Sequence, residues 1–350
     1  MPLTQSTDTQ TETKPNLNTY KYDHEFSMEC GKTLPGLEIS YTTYGTLSPE
    51  KDNVVWVFHA LTANADPVEW WPGLVGSNFL IDPEKHFIIC ANMLGSCYGT
   101  TGPASINPDT GEIYGFDFPI VTVKDMVEAH KLLREHIGIT KIYLGIGGSM
   151  GGQQLLEWSC SEPDLFENIC AVATNARHSA WGIAFNTSQR MAIEADPTHT
   201  EKKIKAGAKG LEAARAIAML SYRNQTTYRK TQTDFDDKLD DFKASSYQYY
   251  QGKKLSDRFA AVSYWYLSKA MDSHNIGRNK KSVPHALKNI TARALIVGIR
   301  SDLLFPVAEQ KFIAKNIKDA HFAVIDSFYG HDGFLIETEA LSKEIENFLK

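Results

Sequence analysis

The sequence has no apolar run as long as a membrane span, and it is poor in cysteine for its 350 residues. Its five cysteines are odd in number and none of their spacings gives C-x-x-C, which argues against a disulfide framework or a zinc site. Residues 1–20 lack the basic-then-apolar pattern of a secretory signal. We therefore expect reduced thiols, no metal centre, no membrane contact and a cytoplasmic location.

The chain also lacks long runs of lysine or arginine. With a formal net charge of -6, it is not expected to bind nucleic acid. A composition of 42% hydrophobic and 22% charged residues is typical of a globular protein. At this length, the chain can form one large core or a core with an inserted domain.

One stretch, residues 141–158, combines a strand-like apolar run, a glycine pair and a helix-favouring segment. Residues 147–151 within it fit the pattern G-x-S-x-G, in which a serine on a sharp turn needs small neighbours so that the next helix can pack against the strand. Ser149 is the candidate nucleophile. The alternative is a glycine-rich turn without chemistry, so the chemical interpretation requires an acid and a base elsewhere.

Apolar strand patterns alternate with helical patterns through the first half of the chain and again near its end. The strands predicted at 54–58, 87–91, 169–174, 294–297 and 321–325 indicate an α/β fold with a mostly parallel sheet. Residues 1–20 predict a disordered arm, because they offer almost no apolar side chains. Residues 179–288 show helical patterning only and predict an inserted helical lid, which leaves 21–178 and 289–350 as the core.

Functional residues in an open parallel sheet lie beyond the carboxyl ends of the strands. Asp302 and His331 follow the last two predicted strands, and with Ser149 they give the chain order Ser, Asp, His that this kind of fold uses. Asp326 is the rival acid, but Asp302 follows the longer buried strand. The histidines that begin strands or lie on or near a helix are expected to serve packing or to lie at the surface: His86, His130, His136 and His321.

An oxyanion that develops during attack by a serine needs backbone donors. The N–H of Met150, the residue after the nucleophile, is one candidate, and the N–H of Leu61 in the loop after the strand 54–58 is the other. His59 stands at the end of that strand. We expect it to be structural rather than a catalytic base.

Six motifs spread along the chain together resemble the homoserine O-acetyltransferase family, whereas ordinary esterases share only the serine turn. They are HALTANA (59–65), NMLGSCYGTTGP (92–103), GGSMGG (147–152), GLEAAR (210–215), SDLLFP (301–306) and YGHDGFL (329–335). The resemblance covers about residues 38–345. It implies an α/β-hydrolase core with a helical lid and a catalytic triad of Ser149, Asp302 and His331. The implied reaction is acetyl transfer from acetyl-CoA to L-homoserine, towards methionine, with no permanently bound cofactor.

The resemblance also implies that Arg215 and Asp332 contact the acceptor substrate and that Tyr222 lines the same pocket. Opposite charges suit the carboxylate and ammonium of an amino acid, although an arginine on a helix is usually solvated. The chain departs from the family at 63–64, where Ala-Asn replaces the common Gly-Asp. The lysines at 202, 203, 205 and 209 could meet the phosphates of coenzyme A or could form a solvated helix face.

Several alternatives stay open on the sequence. The donor could be succinyl-CoA and the acceptor L-serine, because the family includes such enzymes. The same triad also serves a hydrolase, and a non-catalytic relative would act as a binding module. An acyltransferase is expected to work by ping-pong kinetics through an acyl-serine. The aromatic-rich lid helices predict a homodimer.

Overall fold

The computed structural model describes residues 16–350. Its strands are β1 (Asn16–Tyr22), β2 (Phe26–Ser27), β3 (Thr33–Leu34), β4 (Leu37–Tyr44), β5 (Val54–Phe58), β6 (Phe87–Ala91), β7 (Ile142–Gly148), β8 (Phe166–Val172), β9 (Arg293–Ile299) and β10 (Ala320–Ile325). Its α-helices are α1 (Pro67–Trp70), α2 (Val123–Ile137), α3 (Met150–Ser161), α4 (Ala180–Glu194), α5 (Ala208–Tyr222), α6 (Gln225–Thr231), α7 (Lys243–Ser256), α8 (Ala261–Asp272), α9 (Val283–Lys288), α10 (Val307–Asn316), α11 (Gly333–Ile336) and α12 (Thr338–Leu349). Short 3₁₀ turns lie at Gly115–Asp117 and Gly330–Asp332.

Eight strands form one sheet in the order β1-β4-β6-β5-β7-β8-β9-β10. The pairs from β6 through β10 are parallel, whereas β4 is antiparallel to both β1 and β6. Every residue of β5 is buried, as expected for a strand that is covered on both faces. The predicted α/β class with a mostly parallel sheet is confirmed.

The predicted strands 54–58 and 87–91 coincide with β5 and β6. The strand predicted at 169–174 instead spans Phe166–Val172, because its pairing with β7 already begins at Phe166. The helix between β6 and β7, α2, begins where a capping box forms. There the Thr122 hydroxyl accepts from the Asp125 N–H and the Asp125 carboxylate accepts from the Thr122 N–H.

The prediction of a disordered arm over residues 1–20 is wrong for residues 16–20, and residues 1–15 lie outside the described part of the chain. Residues 16–20 belong to β1, which runs antiparallel to β4 at the edge of the sheet. Tyr20 stacks on His136 of α2 with 4.2 Å between ring centroids. Backbone pairing and this ring contact order a segment that its own composition would leave unfolded.

The elements between β8 and β9 are all helices apart from one isolated bridge between Arg177 and Asn275, and we call α4–α9 with their connecting loops the helical insertion. The insertion is tied to the core at its edges. The Tyr266 hydroxyl donates to the Phe118 carbonyl at 2.6 Å, and the Trp181 indole N–H donates to the Leu303 carbonyl at 2.8 Å. No helix in residues 16–350 is both long enough and apolar enough to cross a membrane.

Candidate active site

Ser149 lies at the tip of the sharp turn between β7 and α3. Its backbone has φ 56° and ψ -123°, a left-handed conformation that is strained for a residue with a side chain. The turn is held in place because the Ser149 N–H donates to the Val172 carbonyl at 3.0 Å and the Thr174 hydroxyl donates to the Ser149 carbonyl at 2.7 Å. The predicted strand, turn and helix therefore all occur in the structure, and they place the serine beyond the end of β7.

The glycines of the motif are needed because the turn brings backbones too close for a Cβ. A Cβ on Gly151 would lie 2.1 Å from the Phe58 carbonyl oxygen, and one on Gly147 would lie 2.6 Å from the Gly151 carbonyl carbon. Real Cβ atoms do not approach other atoms so closely. The pattern G-x-S-x-G thus follows from the close packing of α3 against β7 and the end of β5.

His331 lies in the 3₁₀ turn after β10, and its Nδ1 is 2.6 Å from Asp302 Oδ2. The other oxygen of Asp302 accepts from the backbone N–H groups of Leu304 and Phe305 at 2.8 and 2.9 Å. Phe305 also stacks on the imidazole with 5.1 Å between centroids. The two backbone N–H groups therefore fix the position of the carboxylate through Oδ1, and Oδ2 fixes the orientation of the imidazole. The other ring nitrogen, Nε2, is left to exchange a proton with a reacting group.

The rival acid Asp326 is placed differently. Its side chain is 76% exposed and forms an ion pair with Arg300 at the protein surface. By contrast, Asp302 is only 5% exposed. The geometry favours Asp302 as the residue that orients His331.

One pocket of about 540 Å³ contains most of the residues predicted for the site. Ser149, His331, Leu61, Arg215, Tyr222 and Asp332 all line it. Met150, the other predicted oxyanion donor, is fully buried at the first position of α3. Within residues 16–350 the N–H groups of Leu61 and Met150 donate no hydrogen bond. Both are thus available to an oxyanion.

His59 is buried at the end of β5, and both of its ring nitrogens are occupied. Nδ1 lies 2.9 Å from the Ala60 carbonyl, and Nε2 accepts from the Met93 N–H at 3.1 Å. Burial lowers the pKa of this imidazole to about 4, so it is neutral at pH 7. The geometry agrees with the structural role predicted for it, a link between the loops after β5 and β6.

The residues predicted to contact the acceptor lie beside the histidine. Tyr222 ends α5, with its ring centroid 5.7 Å from that of His331, and the Arg215 guanidinium carbon lies 5.0 Å from the Tyr222 ring centroid. Asp332 follows His331 directly. An amino acid in the pocket would thus meet a cation, a carboxylate and the imidazole together.

Asp332 has a second cationic neighbour that the sequence analysis missed. Arg223 Nε lies 2.9 Å from Asp332 Oδ2, in an ion pair whose angle is not that of a hydrogen bond. The guanidinium also lies over the Tyr329 ring, 5.1 Å from its centroid. Burial raises the pKa of Asp332, whereas Arg223 and Arg215 oppose that rise. Arg223 therefore favours the ionised form of this largely buried carboxylate.

At the departure at 63–64, a neighbouring acid lies beside Asn64. Asn64 Nδ2 donates to Glu69 Oε2 at 3.1 Å, and both residues line the pocket. The asparagine thus holds a carboxylate at the edge of the site. The sequence carried no signal for this, because Glu69 belongs to α1 and not to the motif.

The lysines suggested as contacts for coenzyme A do not line the pocket. Lys202 pairs with Glu112 and Asp117, Lys203 with Glu201, and Lys209 with Glu212, whereas Lys205 donates to the carbonyls of Ser256 and Asp257. Two other cations of the helical insertion, Lys254 and Arg258, line it instead. Their position depends on how α7 packs, which no local motif reveals.

Comparisons with known proteins identify the family and the fold of the chain. A family model described as alpha/beta hydrolase fold matches residues 53–338. The homoserine O-acetyltransferase of Cyclobacterium marinum is 51% identical over 92% of both chains. The crystal structure of homoserine O-acetyltransferase from Bacillus anthracis superposes with a TM-score of 0.88 at 25% identity, over 95% of this chain and 98% of that one. Esterase E22, at 23% identity and a TM-score of 0.88 over 96% of this chain and 100% of that one, shares the fold. The chain belongs to the homoserine O-acetyltransferase family and has the α/β-hydrolase fold.

Proposed function

We propose that the chain transfers an acetyl group from acetyl-CoA to the side-chain hydroxyl of L-homoserine, a step towards methionine. One observation carries the proposal. A single pocket holds a serine on a strained turn, a histidine oriented by a buried carboxylate, and the opposite charges of Arg215 and Asp332. The relatives named for this activity support it.

The first half-reaction forms an acetyl-enzyme. Ser149 Oγ attacks the thioester carbonyl while His331 Nε2 takes the proton of the serine hydroxyl. The N–H groups of Leu61 and Met150 stabilise the oxyanion that forms. The carbon–sulfur bond then breaks and the proton passes from His331 to the departing thiolate. Asp302 stabilises the imidazolium in between, and free CoA leaves.

The second half-reaction returns the enzyme to its starting state. Arg215 binds the carboxylate of the acceptor, Asp332 binds its ammonium beside Arg223, and the hydroxyl is held against His331. The imidazole removes the hydroxyl proton as this oxygen attacks the acetyl carbon. The ester bond between that carbon and Ser149 Oγ then breaks, and the proton passes from His331 to Ser149 Oγ. We propose that the helical insertion acts as a lid that limits access of water to the acetyl-enzyme.

Product analysis tests the activity directly. The wild-type protein is incubated with acetyl-CoA or succinyl-CoA and with L-homoserine or L-serine, and the products are identified by mass spectrometry. We expect O-acetylhomoserine as the main product. A larger yield of a succinyl ester, of O-acetylserine or of free acetate would contradict the proposal in favour of the matching alternative.

The variants Arg215→Ala and Asp332→Ala are expected to separate the two half-reactions. Each removes one charge that binds the acceptor, so acceptor binding should weaken by about 2–5 kcal/mol. The burst of CoA from acetyl-CoA alone should persist, because neither residue reacts with the donor. Stopped-flow detection of CoA and steady-state transfer to homoserine measure the two effects. Loss of the burst in both variants, or unchanged transfer, would show that these residues do not hold the acceptor.

We also propose that the protein works in the cytoplasm as a homodimer. Several aromatic side chains of the helical insertion are exposed, among them Tyr249 at 79%, Tyr250 at 59% and Phe235 at 93%. Exposed apolar surface of this kind is typical of an interface. Light scattering on the purified protein measures the mass, and a monomer would contradict the dimer.

A further inference from the structure

We propose that Lys254 binds the phosphate groups of the acyl-CoA donor at the mouth of the pocket. The inference rests on the proposed function and assigns the donor contact that none of the lysines suggested by the sequence provides. Lys254 lies near the end of α7 and lines the same pocket as Ser149 and His331.

Some residues of the pocket are buried and others are exposed, so the pocket has an inner end and a mouth at the surface. Ser149 and His331 are 6% and 3% exposed, whereas Lys254, Arg258 and Glu69 are exposed at the surface. A donor whose thioester reaches Ser149 therefore extends outwards past these exposed residues, and its anionic phosphates favour the side of the two cations over the side of Glu69. Its phosphates are separated from the thioester by a long diamide arm, so they lie at the mouth when the acetyl group is at the serine.

The packing of α7 against α5 fixes where Lys254 lies. A Cβ on Gly252 would lie 2.7 Å from the Glu212 carbonyl oxygen, so the glycine lets the two helices touch. Gln248 Nε2 also donates to the Ala216 carbonyl at 3.1 Å. Because α5 carries Arg215, this contact places Lys254 at the pocket that also receives the acceptor.

Of the two cations at the mouth, Lys254 is the one whose charged group has no partner among residues 16–350. Arg258 Nη1 already donates to the Thr62 carbonyl at 2.6 Å and to the Tyr98 hydroxyl at 2.5 Å. Lys254, by contrast, makes no hydrogen bond or ion pair with any residue in 16–350. Its ammonium has three donors for phosphate oxygens, and the charge of Arg258 one turn away adds to the attraction.

The neighbouring residue offers a matched control. Lys253 carries the same charge on the same helix, but it forms an ion pair with Asp257 and does not line the pocket. Removing either lysine changes the net charge of the protein equally. Only the loss of Lys254 is expected to affect the donor.

The test compares two acetyl donors: acetyl-CoA and S-acetyl-N-acetylcysteamine, a thioester without phosphates. Steady-state transfer to L-homoserine is measured for wild type, Lys254→Ala, Lys254→Arg and Lys253→Ala. With acetyl-CoA, Lys254→Ala should lower kcat/KM about tenfold, mainly through KM, because a hydrogen bond to a charged group is lost. Lys254→Arg should restore most of it and Lys253→Ala should match wild type. With the phosphate-free thioester, all four proteins should be alike.

Two results would overturn the inference. One is an unchanged kcat/KM for acetyl-CoA in Lys254→Ala, and the other is an equal loss with both donors, which would indicate a structural effect. Either result leaves the proposed function intact as long as wild type acetylates homoserine. Failure of wild type to transfer acetyl from either donor would instead contradict the proposed function itself.

Discussion

Replacing Ser149 by alanine is expected to abolish both acetyl transfer and the burst of CoA released from acetyl-CoA alone. The hydroxyl is the only group of this residue that can form the acyl bond, and the other members of the site cannot replace it. The backbone conformation at φ 56° is already adopted by a residue with a Cβ, so alanine adds no new strain. Rapid-mixing measurement of thiol release gives the burst, and product analysis gives the turnover.

Ser188→Ala is a suitable control, because this serine lies on α4 and its hydroxyl donates only to the Ala184 carbonyl at 3.0 Å. It should behave like wild type. In the wild-type enzyme, initial rates should give the parallel lines of a ping-pong mechanism when plotted as double reciprocals. Full activity in Ser149→Ala would end the covalent mechanism, and intersecting lines would contradict the order in which CoA leaves before the acceptor attacks.

Replacing Asp302 by asparagine is expected to lower kcat by about 10⁴, the size of the effect known for the equivalent change in serine proteases. The structure supplies a specific reason. The N–H groups of Leu304 and Phe305 both point at Oδ1, so an amide would keep its oxygen there and turn its NH₂ group towards His331. The imidazole would then accept at Nδ1 and carry its proton on Nε2, where the base for Ser149 is needed.

Asp326→Asn provides the comparison for the acid. Its exposed ion pair with Arg300 contributes little, and it makes no contact with His331. Its kcat should stay close to that of wild type. Steady-state kinetics on both variants, with thermal unfolding to check folding, would decide between them. A large loss in Asp326→Asn with little change in Asp302→Asn would mean that the acid is misassigned.

The sequence by itself was enough for the class of fold and for the serine, acid and base of the candidate site. The turn that holds Ser149 is encoded locally, because close packing of α3 on β7 demands glycine at fixed positions around it. Asp302 and His331 could be found because parallel strands bring their carboxyl ends to one edge, so the order of elements implies proximity. Buried strands such as β5 were recognisable for a similar reason, since burial on both faces requires an unbroken apolar run.

Tertiary structure alone revealed further charged residues around the pocket. Arg223 beside Asp332 and Lys254 at the mouth both lie in the helical insertion, whose helices meet the core through side-chain packing and not through a sheet. The sequence also did not reveal that residues 16–20 are ordered, because they are ordered by pairing with β4 and not by their own composition. A helical pattern fixes which residues share a face of one helix, but it does not fix which other helix or strand that face will meet. Contacts between elements distant in the chain depend on the packing of the whole core, and these contacts place the charges around the pocket.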